Sequence, residues 1–196
     1  MKRAGLDAQG NLFVENFYTE ENILMSNMEI DPEPFMSFGS PAFQYSKNTR
    51  GLTLADLDGD GIDELLIGIN TKFFAIKGDG SLLIEKTIPG PVLYPPAVAD
   101  LDGDGNLEIV LNYGFSTLQN GINVLDHQGN ELPGWPKTFG TTLVNNAPTV
   151  ADLDDDGNYE IITAQRATAT SALIHVYNLD GTYFNENWPF DIESVS

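Results

Sequence analysis

The chain has 196 residues, with 29 acids against 9 bases and a formal charge of −20; such an anion repels DNA, RNA and anionic membrane surfaces. Cysteine is absent, which excludes disulfides, thiolate metal sites and a cysteine nucleophile, and no apolar run approaches the roughly 18 residues of a membrane helix. Hydrophobic residues at 41% and aromatics at 10% suit a folded domain rather than an acidic tail.

The opening MKRAGLDAQGN has two bases and no apolar stretch after them, so no secretory leader is visible. LDAQGN at 6–11 matches LDHQGN at 125–130 in five of six positions. The chain is therefore expected to begin inside a repeat whose outer strands alone are present. Residues 15–46, with EIDPEPFMSFGSP, fit no repeat and read as a loop or an irregular strand.

Three related segments follow: ADLDGDGIDELLIG from residue 55, ADLDGDGNLEIVLN from 99 and ADLDDDGNYEIITA from 151. They hold 14 of the 29 acids, and their first aspartates are 44 and 52 residues apart, a period that points to a repeat architecture. Asp occupies loop positions 1, 3 and 5: Asp56, Asp58 and Asp60; Asp100, Asp102 and Asp104; Asp152, Asp154 and Asp156. Gly61, Gly105 and Gly157 stand at position 6, and Glu64, Glu108 and Glu160 at position 9. Alternate carboxylates converge on one point only where the backbone curls around it, and glycine at position 6 permits the turn. The position 7 carbonyls of Ile62, Asn106 and Asn158 then become further ligands.

Carboxylates held that close call for a cation, since a like-charged pair at 4 Å repels by roughly 4 kcal/mol at an effective dielectric of 20. An all-oxygen set of flexible number suits Ca²⁺ better than Mg²⁺, and Zn²⁺ would favour His or Cys. Three Ca²⁺ sites are expected. The third loop has Asp155 where the others have Gly59 and Gly103, and Asp tolerates a left-handed backbone better than most residues.

An EF-hand opens with the same D-x-D-x-D-G but needs Glu at position 12 and flanking helices. Position 12 here is Ile67, Leu111 or Thr163. GLTLA, PPAVA and APTVA precede the loops and LLIGIN, IVLNYG and IITAQR follow them; these are strand signals. Two more strands are expected after each loop: 73–78 and 82–88, then 122–127 and a segment ending at 134–139, then 173–178 and 183–190. Leu57, Leu101 and Leu153 at position 2 are expected in the core. The strand after each loop is apolar on both faces, as in a sheet covered on both sides. The unit is a four-stranded antiparallel meander, and such sheets packed around an axis make a β-propeller.

D-L-D-G-D-G-x-x-E followed by a hydrophobic residue resembles the FG-GAP/VCBS repeats, including the calcium-binding blades of integrin α-subunit propellers. Glu replaces the usual Asp at position 9, Phe38-Gly39 lies farther from the loop than the integrin pattern places it, and no Gly-Ala-Pro follows any loop. The likeness is thus closer to the bacterial, secreted branch. It implies a structural ion between the first two strands of each blade, in an extracellular or cell-surface module that binds a protein or glycan ligand. The alternative is an accessory or catalytic part of a secreted polysaccharide lyase or hydrolase.

The expected fold is all-β, a β-propeller of about three complete blades plus a partial one. The divisions are 1–46 (partial blade and irregular segment), 47–92, 93–142 and 143–196, one calcium loop in each of the last three. The chain reads as a fragment of a larger propeller, with closure as a four-bladed ring or completion by another chain as alternatives. Self-association follows from the bare faces of an open arc; nucleic-acid binding and membrane insertion do not. His127 and His175, the only histidines, read as structural, and no catalytic motif is present. Asp63 and Asp155 are expected to face solvent. Trp135 and Trp188, each before a proline and 27 and 28 residues after the position 9 Glu, read as packing between blades, with a sugar platform as the alternative. Tyr94, Tyr113 and Phe115 lie near loops on one face of the ring.

Overall fold

The computed structural model describes the backbone of residues 4–6, 12–15 and 22–24, and residues 50–114, 119–144, 146–168 and 171–193 in full. The chain divides into two compact units, Met1–Gln44 and Tyr45–Ser196. The first holds one antiparallel sheet in the order β1 (Ala4–Leu6), β2 (Leu12–Glu15), β3 (Asn22–Leu24). The Phe-Gly pair at 38–39 and most of the segment 15–46 fall outside the described residues.

The second unit is three four-stranded antiparallel sheets in chain order, and no helix occurs among the described residues. Sheet 1 is β4 (Thr53–Ala55), β5 (Glu64–Ile69), β6 (Lys72–Ile76) and β7 (Leu82–Thr87). Sheet 2 is β8 (Ala97–Ala99), β9 (Glu108–Tyr113), β10 (Gly121–Leu125) and β11 (Lys137–Thr138). Sheet 3 is β12 (Thr149–Ala151), β13 (Glu160–Arg166), β14 (Ser171–Tyr177) and β15 (Phe190–Glu193). Each acidic loop joins the first strand of its sheet to the second, as the β-branched apolar flanks require.

The outer hairpins share one register. Ile76 pairs with Leu82, Leu125 with Glu131 and Tyr177 with Tyr183, and in the first unit Leu6 pairs with Leu12. Every loop so closed carries glycine four residues after its first paired residue: Gly80, Gly129, Gly181 and Gly10. The likeness of LDAQGN to LDHQGN is thus a likeness of register, although residues 7–11 themselves lie outside the described set.

The sheets stack face to face. Leu57, Leu66, Phe73, Ala75 and Ile84 of sheet 1 and its loop pack with Ile109, Leu111, Tyr113 and Leu125 of sheet 2. The other face of sheet 2, with Leu101, Val110, Ile122, Val124 and Trp135, packs with Ile161 and Tyr177 of sheet 3. The first strands β4, β8 and β12 are neighbours. Polar groups cross the second interface too: Thr163 Oγ1 donates to Asn112 Oδ1 (3.0 Å), and Asn112 Nδ2 to the Asn146 carbonyl (2.8 Å).

Burial departs from the sequence reading in a graded way. All six residues of β9 are buried, whereas β5 and β13 alternate or thin out, because only sheet 2 has a described sheet on each side. Leu57 and Leu101 are each 3% exposed but Leu153 is 46% exposed: the first two enter the interfaces on either side of sheet 2, and no described sheet covers the third. The expected strand at 183–190 forms only from Phe190; Tyr183 makes an isolated bridge, and Trp188-Pro189 lies in the turn, where proline's missing N–H is no loss. β11 likewise begins at Lys137, after Trp135-Pro136.

Ile122 is fully buried and Leu82 half-exposed. Ile122→Ala is expected to cost about 3 kcal/mol and Leu82→Ala less than about 1 kcal/mol, read from urea unfolding midpoints.

Candidate metal centres

The three loops repeat one hydrogen-bond scheme. The position 1 carboxylate accepts from the glycine N–H at position 6: Gly61 to Asp56 Oδ2 (2.8 Å), Gly105 to Asp100 Oδ2 (3.0 Å) and Gly157 to Asp152 Oδ2 (2.9 Å). Its Oδ1 takes the position 5 N–H in the first and third loops and the position 4 N–H of Gly103 in the second. The position 5 carboxylates of Asp60, Asp104 and Asp156 accept the position 7 N–H of Ile62, Asn106 and Asn158 at 2.7–2.8 Å. These local bonds curl the backbone, and the curl needs left-handed residues: φ is 87°, 90° and 91° at Gly61, Gly105 and Gly157. Position 4 is left-handed as well, and Asp155 adopts φ 62° where Gly59 and Gly103 have 72° and 76°.

Position 9 is the hinge between loop and core. Glu64, Glu108 and Glu160 begin the second strand of each sheet and are nearly fully buried. Their Oε2 atoms accept the position 2 N–H of Leu57 (2.9 Å), Leu101 (2.7 Å) and Leu153 (2.7 Å). A buried carboxylate with so few donors is expensive. Accordingly burial, reinforced by the neighbouring aspartates, pushes the Glu108 and Glu160 carboxyls above their ordinary range, against the pull of the Leu101 and Leu153 N–H groups.

Three carboxylates converge in each loop: Asp56, Asp58 and Glu64; Asp100, Asp102 and Glu108; Asp152, Asp154 and Glu160. One oxygen from each lies within 4.8 Å of the other two, where each ionised pair repels by roughly 3 to 4 kcal/mol at an effective dielectric of 20. The donors are all oxygen, half-buried or exposed at positions 1 and 3 and buried at position 9, a set that fits a hard divalent cation. Asp60, Asp104 and Asp156 are not among these triads; one oxygen of each accepts the position 7 N–H. Asp63 and Asp155 are exposed.

The loops differ in their surroundings. Lys77 forms an ion pair with Asp58; their hydrogen bond holds the Asp58 carboxyl below its ordinary range and raises the Lys77 ammonium. The corresponding residues, which open the outer hairpin turn, are Asp126 in sheet 2 and Asn178 in sheet 3: each donates its N–H across the turn, as Lys77 does to Ser81. The second loop instead borders His127 in a cleft of about 420 Å³ that also touches Asp56 and Asp58. A second cleft, of about 550 Å³, joins Asp102 to Asp154, Asp156 and Asp180.

The remaining candidates differ in how deeply they are packed. His175 is buried in sheet 3; Nδ1 meets the hydroxyls of Tyr183 and Tyr177 (both 3.1 Å), Nε2 meets Gln165 Oε1 (3.0 Å), and the ring stacks on Phe139 at 4.5 Å. Trp135 is 7% exposed and donates Nε1–H to the Leu179 carbonyl across the second interface (2.7 Å), edge-on to Tyr177. Trp188 is half-buried, edge-on to Phe190. Tyr113 is core, its hydroxyl donating to the Lys137 carbonyl (3.3 Å). Tyr94 lies under the Arg50 guanidinium, and Phe115 is outside the described residues. The aromatic stack around His175 was not anticipated from sequence, because its members come from three separate segments.

No protein-family model matches the chain, and no curated protein matches it. Among solved structures, the V. cholerae biofilm matrix protein Bap1 is similar at 24% identity and a TM-score of 0.44. The similarity covers 68% of this chain, which spans 29% of that one.

In excess chelator, Glu108→Ala orphans the Leu101 amide and should cost about 2–3 kcal/mol, whereas Glu108→Gln keeps an acceptor and should match or exceed the parent in chemical denaturation. Burial lowers the His175 imidazole to about 4, while the unfolded chain titrates it near 6.5. The unfolded state therefore binds the extra proton between those values, so this residue's contribution to stability falls as pH drops from about 6.5 to 4 and is level below. The loss should be on the order of 1–3 kcal/mol, seen as a difference in pH slope between the parent and His175→Gln.

Proposed function

We propose that this protein is a calcium-stabilised β-propeller repeat module acting at the cell surface or outside the cell, where it binds a protein or glycan ligand. The observation that carries the reading is the threefold recurrence of one strand–loop–strand unit in which two aspartates converge with a buried glutamate. Loops without a ligand have no need to keep such mutually repelling groups at matched positions in three places. The propeller is favoured by the face-to-face stacking of successive meanders and by the adjacency of their first strands, the pattern of radial repetition. The blades would be 47–92, 93–142 and 143–196, and residues 1–46 would supply a partial blade and an irregular segment.

Asp56, Asp58 and Glu64, and their equivalents in the other loops, would hold Ca²⁺, joined by the position 5 carboxylates and the position 7 carbonyls of Ile62, Asn106 and Asn158. The ion would supply charge neutralisation and a cross-link between the ends of the loop. The chain's part is to place the oxygens: glycine at position 6 turns the backbone, and the position 2 amide orients the glutamate. Three divalent ions add six charges and bring the formal −20 to −14. Extracellular calcium modules bind near 10⁻⁴ to 10⁻³ M, so sites of that class fill outside the cell and stay empty at cytosolic calcium. At tenfold excess over Kd each adds about 1.4 kcal/mol, and three are a large share of a typical 5 to 15 kcal/mol.

Removing calcium with EDTA should therefore lower the melting temperature by roughly 10 °C, and millimolar Ca²⁺ should restore it; an unchanged Tm would defeat the reading. The three sites should also be unequal. Lys77 occupies Asp58 and competes with the ion, so Lys77→Gln is expected to tighten the weakest Ca²⁺ step in titration calorimetry about tenfold and leave the other two in place.

A further inference from the structure

We infer that the outer end of the seam between sheets 2 and 3 binds a carboxylated sugar, a uronate residue of an acidic polysaccharide. The inference comes from one place where the two seams differ. Ile76 pairs with Leu65, Leu125 with Ile109 and Tyr177 with Ile161, so Ile76, Leu125 and Tyr177 are equivalent. Three residues earlier, Phe73 pairs with Lys86 and Ile122 with Lys137, which makes the two lysines equivalent. Across the outer turn Leu125 pairs with Glu131 and Tyr177 with Tyr183, which makes Glu131 and Tyr183 equivalent. At the first seam Lys86 forms an ion pair with Glu131 (3.7 Å), and Asn123 Nδ2 donates to the same carboxylate (3.2 Å). At the second seam the corresponding residues are Lys137, Tyr183 and His175, and the carboxylate is gone.

Among the described residues Lys137 makes no ion pair, whereas Lys72, Lys77 and Lys86 each have one. Its ammonium lies 5.6 Å over the Trp135 ring. Asp180, in the facing turn, accepts instead from the Thr182 N–H (2.8 Å) and hydroxyl (2.6 Å). A cavity of about 400 Å³ opens beside the lysine, lined also by Thr138, Phe139, Tyr177, Gly181 and Tyr183, within the size range of small-ligand sites. Both walls belong to sheets that pack on each other, since Ile122 and Tyr177 share one core cluster. The walls are locked. Trp135 Nε1 donates to the Leu179 carbonyl (2.7 Å), and a Cβ on Gly134 would strike the Asp180 carbonyl at 2.1 Å. A Cβ on Gly181 would meet Lys137 Nζ at 2.6 Å, so glycine there leaves the ammonium its seat.

A ligand carboxylate takes the place that Glu131 fills at the first seam, and its bond to the lysine is charge-assisted. The hydroxyls add donors. His175 Nε2 meets Gln165 Oε1 (3.0 Å), which leaves Nδ1 one lone pair for two hydroxyls, those of Tyr177 and Tyr183, each 3.1 Å away. The two hydroxyls stand 3.5 Å apart, so one phenolic proton is weakly held and available to a ligand oxygen. Thr138 is exposed, Tyr183 is 41% exposed and Phe139 is half-buried. Ring surface set among hydroxyls suits a sugar, with its apolar C–H face and polar edge. An acidic peptide added as a strand is disfavoured, because the edge strand β11 is only two residues long. The site gives the ligand of the proposed function a place and rests on the glycan form of that reading, but uses none of the calcium loops.

Titration calorimetry on the full chain tests this, with trimers of galacturonate, glucuronate, mannuronate and guluronate, each beside its methyl ester. At least one free acid should bind, and its ester should bind at least tenfold more weakly. Lys137→Gln should lose at least tenfold for that trimer, whereas Lys86→Gln, which breaks the first-seam pair, should bind like the parent. Tyr183→Glu restores the first-seam arrangement and should abolish binding without lowering the melting temperature. Should Y183E fail to melt cooperatively, K137Q on the strand edge decides. The proposal is overturned if no trimer binds, if an ester binds as well as its acid, or if K137Q binds like the parent. Triglutamate binding more tightly than every uronate overturns it too, in favour of an acidic peptide. The EDTA shift in melting temperature is read on the same samples. A shift without uronate binding sinks this site and spares the calcium reading; uronate binding without a shift does the reverse.

Discussion

A carboxylate set into the core is the constraint on which each of the three sheets depends. Glu64, Glu108 and Glu160 each leave water almost completely and receive one backbone N–H in return. That peptide belongs to the leucine at position 2, so a single bond fixes two things. It orients the glutamate toward the aspartates, and for Leu57 and Leu101 it sets the side chain at the seam between sheets. Chemistry at the rim and packing in the interior are thereby coupled through one residue. The charge that remains unsatisfied defines what the loop can hold: a small, hard, positive species.

The seams themselves are directional. Each sheet offers a different set of groups to the sheet before it and the sheet after it, and Trp135 shows how the direction is enforced, filling space with its ring while its N–H finds a specific carbonyl. The buried amide and hydroxyl groups of Asn112 and Thr163 add a second polar lock. Such groups penalise sliding, because any shift leaves a buried donor or acceptor without its partner.

Much of this was legible in the order of residues, and what was legible was local. Aspartate and glycine spacing specifies the loop because every bond that shapes it spans seven residues or fewer, and Asp155 betrays its left-handed backbone by standing where two glycines stand elsewhere. The hairpins were legible for the same reason. That Asp60, Asp104 and Asp156 also brace the position 7 amides was not, since a carboxylate in a string of carboxylates carries no label saying which backbone N–H it will accept. Leu153 was misplaced in the core because its burial is a property of whatever sheet lies against it, and identical local chemistry at Leu57, Leu101 and Leu153 gives two answers. The start of β15 at Phe190, and the gathering of Phe139, His175, Tyr177 and Tyr183 into one stack, likewise depend on partners distant in sequence.

The grading of burial across the stack has a mechanical corollary. β9 is buried on both sides, whereas among the described residues the flanking sheets each have a sheet against one side only. A pull directed along the stack would therefore peel a flanking sheet as a unit while the centre stayed clamped. Extension would come in discrete steps rather than as one collapse, so the middle meander would act as the last anchor of a sacrificial series.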